Sequence, residues 1–341
     1  MSTHRNWLQP CLRTLQGLVL FVVVSACTEA PQAQWQDYRE RLARVLGVDL
    51  AGPDAGSAPA ALPSVKTAAE FAEQTITLVE LARLHPCGLD SLISERNSSL
   101  GKVMTAAVAL DYELKLLDLL PACIALPELP TEFKQRLQTI RAEKLQQLPA
   151  RFQAMLTTDQ TLRAQLQGSK RGIDDMSGQS STRQALQNLQ STAVLLRTFS
   201  QSHDVTQRPP AALLTQPWMQ ALSDLHQSQR LADLQHSVRQ SLLEISSLNE
   251  ALAAVPLTCP RGQRAVMDQV LQQIFIGRLQ PMLAQTDQSI TELTPLLLAL
   301  YHGSPWHEVI RARYLEPKLQ LQQQLKRHVS WWQSYQQRCA P

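Results

Sequence analysis

Few residues in this chain have the type and spacing to do chemistry. Glu95-Arg96-Asn97-Ser98 is the one polar cluster inside an otherwise apolar helical frame, and Arg96 falls on the apolar seam itself. A charge facing a core must be paired, or it destabilises the fold by several kcal/mol. Arg96 therefore reads either as a site for a carboxylate or phosphate of a ligand or partner, or as a structural ion. In the structural reading, which is the expectation, it pairs with an acid on a neighbouring helix while Ser98, Ser99 and Gly101 permit close approach. His302 and His307, the latter followed by Glu308, lie five apart across Pro305, whereas paired histidine ligands on a helix sit four apart. A helix start is expected there, and no metal site. Asp174-Asp175 falls in a polar, flexible loop and reads as solvated. Trp331-Trp332 with Tyr335 reads as a partner-binding aromatic patch or, preferably, as core packing. The sequence has no GxSxG, no HExxH and no glycine-rich phosphate loop. The reading leans away from an enzyme, with no catalytic residue, metal or cofactor.

The elements that must position these residues are helices. The 341 residues are 44% hydrophobic, 18% charged and 5% aromatic, with 12 Gly and 40 Gln. Gly this scarce argues against glycine-lined nucleotide sites and sheet-rich barrels, while the dominant Leu, Ala, Gln, Arg and Glu all favour helix. The 32 basic and 29 acidic residues nearly cancel, so no broad field is available to attract nucleic acid. Apolar steps of three and four predict a short helix over 32–46, followed by a Pro/Gly/Ala linker over 47–64. Thr67 and Glu70 form a capping box opening a helix to about Leu84. From Leu89 the seam Ile93, Arg96, Leu100, Val103, Ala107, Leu110, Leu114, Leu117 predicts one long helix closed by Pro121. Helices are expected at 131–148, entered through Thr131 and stopped by Pro149, then at 150–167 and, after a polar loop over 168–181, at 182–200. A further loop ends at Pro209-Pro210. A helix of nearly 40 residues should then run from Trp218 to Val255. Another is kinked or broken at Pro281 and ends near Tyr301, and Ser304 should cap a last one to about Arg338. The expected fold is all-α, an elongated antiparallel bundle of about seven to eight helices forming a single domain over 65–341.

The first residues read as an address. Arg5 and Arg13 precede the apolar run Leu18–Val24, seven residues against the roughly 20 needed to span a bilayer, so a cleaved signal peptide over 1–26 is expected. Val24-Ser25-Ala26-Cys27 places a nucleophilic thiol after two small residues. It resembles the lipobox of bacterial lipoproteins, which implies acylation of Cys27 with palmitate-type chains and cleavage before it. Several chains on one cysteine anchor firmly, because each buried methylene contributes about 0.8 kcal/mol. Residue 28 is Thr rather than Asp, which under the lipoprotein sorting rule implies the outer membrane. Residues 27–64 are then expected to form a lipidated tether carrying one short helix and the linker.

Cys11 leaves with the signal peptide, and Cys27 is used for lipid. Cys87, Cys123, Cys259 and Cys339 remain, an even number in an oxidising compartment, where two disulfides are the natural reading. No two of them lie at CxxC spacing, which argues against zinc. If the last two helices run antiparallel, Cys259 and Cys339 finish at the same end, and that bridge is favoured. Cys87 and Cys123 sit at opposite ends of the seam helix, about 45 Å apart if it is unbroken, yet a disulfide needs Cα atoms within about 7 Å. Their bridge requires a bend, for which Asn97–Gly101 is the only suitable stretch. The continuous seam argues against that bend, and exclusion argues for it.

The lipobox, Cys87-Gly88-Leu89 with Glu95–Gly101, and the ending His328-Val329-Ser330-Trp331-Trp332-Gln333 with Cys339 together resemble an uncharacterised family of Gram-negative lipoproteins. The resemblance implies no catalytic residue. The expected function is a periplasm-facing, lipid-anchored outer-membrane protein that binds an envelope protein or cell-wall component. The alternatives are an envelope enzyme acting on peptidoglycan or lipid near Glu95 and Arg96, and a carrier of an apolar ligand.

Overall fold

The computed structural model describes residues 31–54, 56, 58–64, 75–201 and 211–339. The signal segment, Cys27, the Thr67–Glu70 capping box and Pro209-Pro210 all lie outside them. Within the described residues the chain is helical and contains no strand. The eleven helices are α1 (Pro31–Leu46), α2 (Leu78–Arg83), α3 (Leu89–Asn97), α4 (Ala106–Ala125), α5 (Thr131–Thr158), α6 (Gln160–Gln167), α7 (Gln179–Gln201), α8 (Ala211–Ser228), α9 (Arg230–Ala253), α10 and α11. Helix α10 joins Gln263–Val270, a π-helical stretch Leu271–Leu279 and Gln280–Leu300. Helix α11 joins Trp306–Ile310, a π-helical stretch Arg311–Leu315 and Glu316–Arg338.

After α1, ten helices replace the seven to eight expected over 65–341 because two long helices are broken. The seam helix bends at Ser98, whose hydroxyl donates to the Glu95 carbonyl (2.7 Å) and accepts from Gly101 N (3.1 Å). A Cβ on Gly101 would stand 2.1 Å from the Arg96 carbonyl oxygen, so only glycine closes this corner. Leu100 and Val103, placed on the seam by their spacing, are 79% and 75% exposed, while Ala107, Leu110, Leu114 and Leu117 are buried. The three-four rhythm crossed the corner by coincidence. The predicted 40-residue helix is likewise two, α8 and α9, separated by Gln229 at φ 50°. Its apolar pattern steps by six from Leu225 to Leu231 where a continuous seam steps by three or four. The buried Gln165 side chain bridges the gap, donating to the Leu225 carbonyl (2.5 Å) and accepting from Leu231 N (3.2 Å).

Proline also ends fewer helices than expected. Pro121 and Pro149 lie inside α4 and α5. Pro281 and Pro317 each follow a π-helical stretch that closes with a five-residue bond, Gln280 N to Phe275 O and Glu316 N to Arg311 O. The wider turn repositions the carbonyl four residues back, which the proline ring would otherwise strike. Residues 75–77 are not helical, and α2 opens at Thr77 with a capping box to Glu80. Ser304 does not cap α11, since its hydroxyl donates to the Tyr301 carbonyl at the end of α10 (2.8 Å).

The helices enclose two apolar cores. The first joins α3–α8 with the second half of α10 and the start of α11, around Leu114, Leu186, Trp218, Leu297 and Tyr301. The second joins α1, the later turns of α9, the early turns of α10 and the end of α11, around Trp35, Tyr38, Ile245, Phe275 and Trp332. Helices α9, α10 and α11 run through both. Helices α10 and α11 lie antiparallel, as Lys318 to Thr291 and Gln322 to Asp287 pairings show. Each core carries one of the two expected disulfides, Cys87–Cys123 (Cα–Cα 5.2 Å) on the first and Cys259–Cys339 (5.4 Å) on the second. The corner at Ser98–Gly101 lets the first bridge close.

The segment expected to be a tether is built into the body from Pro31 onward. Trp35, Tyr38 and Leu42 are at most 1% exposed, and Arg39 pairs with buried Glu244. The linker after α1 lies along α9 and α11, its carbonyls accepting from Ser247 at Ala51, from Arg239 at Gly56 and from Arg313 at Ala60.

Candidate functional site

The Glu95–Ser98 cluster forms the corner between α3 and α4. Glu95, Asn97 and Ser98 are exposed and Arg96 is half-buried. The Arg96 guanidinium donates to the Gly101 carbonyl and lies 6.0 Å from the Tyr112 ring centroid. The acid expected opposite it is absent from this pairing. The nearby buried acid, Glu113, is held instead by Lys144 (2.8 Å) and Arg151 (3.2 Å). Burial pushes the Tyr112 hydroxyl up to about 12, with the Glu113 charge adding to the effect. Arg96 thus closes a backbone corner and rests on an aromatic face, a structural role reached through different partners from those expected.

Trp331 and Trp332 belong to the second core. Trp332 is 3% exposed. Its indole N–H donates to the Tyr38 hydroxyl (2.8 Å), which itself lies 2.6 Å from His328 Nε2. His328 Nδ1 lies 2.9 Å from Asn249 Oδ1, and Asn249 Nδ2 donates to the Gln324 carbonyl (2.8 Å). These contacts fix every proton. Asn249 spends its amide N–H on Gln324, so its oxygen accepts, and His328 Nδ1 must carry the hydrogen. Nε2 is then bare and accepts from Tyr38, whose oxygen accepts from Trp332. The chain holds only with a neutral imidazole, and burial pushes the His328 ring down to about 3. Trp331 is half-buried and stacks on the His328 and Tyr335 rings.

Sequence reasoning missed Tyr38, Asn249 and His328, and it missed a second polar system on α9. Arg230, Asp233, Ser237, Ser241 and Glu244 recur at steps of three and four and are all at most 7% exposed. That spacing was the available signal, because it places five polar side chains on one stripe of a helix whose apolar residues had seemed to define the buried face. Three members, with the half-buried His236 between them, pin the loop between α6 and α7 that was expected to be flexible. Arg230 donates to the carbonyls of Asp175 (2.5 Å) and Ser177 (3.3 Å), and Ser237 accepts from Ile173 N (2.7 Å). Asp233 pairs with Arg171 (3.2 Å). Asp175 is not simply solvated, since hydrogen bonds from the Ser177 hydroxyl and from Ser177 N hold its carboxylate below the usual range. Arg313 braces the start of the loop by donating to the carbonyls of Leu166 (2.6 Å) and Gln167 (3.1 Å) at the end of α6, where the helix dipole favours a cation.

Among the described residues, two clefts stand out. One of about 140 Å³ lies between α1 and α10, lined by Arg41, Arg44, Val45, Val266, Val270 and Ile274 among others. One of about 280 Å³ lies beside Ser177, Gly178, Asp224 and Ser228. Both fall below the roughly 300 to 1,000 Å³ of small-molecule sites, and neither takes in Glu95 or Arg96. His302 of the turn and His307 in the first turn of α11 meet edge to face at 5.8 Å. Among the described residues no group of three or more His, Cys, Asp or Glu is placed to hold a metal, and no helix is long and apolar enough to cross a membrane.

No curated protein and no solved structure matches the chain. The model of one family, described as "Protein of unknown function (DUF3080)", matches residues 35–341, from the first buried tryptophan of α1 through both disulfides. The chain belongs to that family.

Proposed function

We propose that this protein is a lipid-anchored outer-membrane lipoprotein that faces the periplasm and serves a binding or scaffold role toward another envelope component. The observation that carries the reading is the cysteine pattern. All four cysteines of the described body are paired, as suits a chain exported to an oxidising compartment, while Cys27 stands in a lipobox-like Val-Ser-Ala-Cys sequence. The architecture supports a non-enzymatic role. The buried polar groups of α9 and α11 hold α1, the linker and the 168–178 loop, and the two clefts described above are small.

Replacing Cys27 by Ala tests the anchor. The wild-type chain should incorporate labelled palmitate and sediment with outer membranes, and Cys27→Ala should do neither. A variant that stays membrane-bound would refute lipidation as the anchor. Crosslinking in intact envelopes tests the scaffold role, since a discrete crosslinked partner is expected and exclusively monomeric protein would contradict it.

A further inference from the structure

We propose that the loop Gly168–Gly172 is a membrane-facing surface that rests against anionic phospholipid headgroups. The proposal builds on the lipoprotein reading and adds an orientation to it. Helix α1 starts at Pro31, only four residues after Cys27. Four residues of fully extended chain span at most about 14 Å, so an acylated Cys27 would keep the bilayer surface within that distance of Pro31. Pro31 has no freedom to drift from the body, because α1 is fixed by Trp35, Tyr38 and Leu42 in the second core and by Arg39 on Glu244.

The surface beside Pro31 is this loop. A Cβ on Gly172 would stand 3.6 Å from Pro31 Cγ and 2.9 Å from Ser237 Oγ, so the loop, the start of α1 and α9 meet at one point. Lys170 and Arg171 are exposed here, and half-buried Arg239 is near enough to add to the burial that lowers the His236 ring. Asp233 is the acid facing them and takes Arg171, while Lys170 has no partner among the described residues. Glu29 adds one further acid in the intervening sequence. Asp174 and Asp175 lie beyond the buried Ile173, on the stretch that returns along α9 toward Arg230, seven residues or about 10 Å from Ser237. Lys170 and Arg171 on the loop, with half-buried Arg239 on the neighbouring α9, therefore gather where the anchor emerges, and the loop is held in place by buried hydrogen bonds. Basic groups next to an anchor are attracted to an anionic surface and release it as salt rises.

Amine footprinting of the full acylated protein reads this directly. The protein would be reconstituted in phosphatidylethanolamine vesicles containing phosphatidylglycerol and treated with a membrane-impermeant acetylating reagent. Acetylation of Lys170 would be measured against exposed Lys326, with the soluble Cys27→Ala chain as reference. Lys170 should react about tenfold more slowly in these vesicles, and high salt or phosphatidylcholine vesicles should relieve most of that protection. Intact mass of the same sample separates the two readings. An acylated chain with unchanged Lys170 reactivity overturns the orientation alone, and an unacylated Cys27 overturns the anchor and the orientation with it.

Discussion

The two cores are built on different principles. The first is packed mainly from apolar side chains, with Leu114, Leu186, Leu189 and Trp218 fully buried, and its central polar groups Gln165, Tyr301 and Tyr314 are neutral and bond backbone groups. Most of its stability comes from area removed from water, which is non-directional and carries no proton of its own. The second places a directed chain, Trp332 to Tyr38 to His328 to Asn249, in the middle of its apolar side chains. Such a chain discriminates, because its donors and acceptors match in only one arrangement and one protonation state. Apolar burial suffices to gather helices, whereas fixing one helix in one place calls for groups that match. The helix fixed in this way is α1, the element that leads toward Cys27.

The sharpest way to break this contrast is acid. His328 is depressed from 6.5 to about 3 on folding, so between those values the unfolded chain binds a proton that the folded chain refuses. Stability is thus fully present above pH 6.5 and is lost as pH falls toward 3, by a total on the order of 5 kcal/mol. Urea unfolding at pH 7 and pH 4 should show most of this loss, about 3–4 kcal/mol, and His328→Gln should remove His328's share of the slope. An unchanged slope in the variant would show that His328 does not govern the second core. Trp218→Ala probes the other side. Opening a cavity in the first core should cost about 3–5 kcal/mol and, unlike the histidine effect, by the same amount at both pH values. A smaller effect is expected at the junction of α8 and α9, where Gln229→Gly should raise stability by about 0.5–1 kcal/mol by relieving a left-handed backbone. A loss there would mean that the Gln229 side chain, which donates to the His226 carbonyl, matters more than its backbone strain.

The same contrast explains which features were legible in the sequence. Helical class, several helix ends and the Cys259–Cys339 pairing could be read from apolar spacing and helix direction, whereas Cys87–Cys123 followed only by exclusion, since its reach depended on a corner the seam concealed. The corner at Gly101 and the break at Gln229 were obscured because apolar rhythm reports only burial on one face, and another element supplies the missing bonds. Gln165 on α6 completes the break between α8 and α9, a partnership that spacing within either helix does not encode. Arg96 and Trp331-Trp332 drew notice as chemically conspicuous residues, and the structure places them in a corner and a core. The groups that organise α1 and the loop, Tyr38, His328, Arg230 and Ser237, are ordinary residues whose role arises from partners far along the chain.

The most direct measurement is the protonation of His328, read by nitrogen-detected NMR of ring-labelled protein. The expected result is a neutral ring with its hydrogen on Nδ1, a bare Nε2, and no titration between pH 8 and pH 5. A ring that titrates near 6.5, or one carrying its hydrogen on Nε2, would contradict the directed chain and with it the distinction between the two cores.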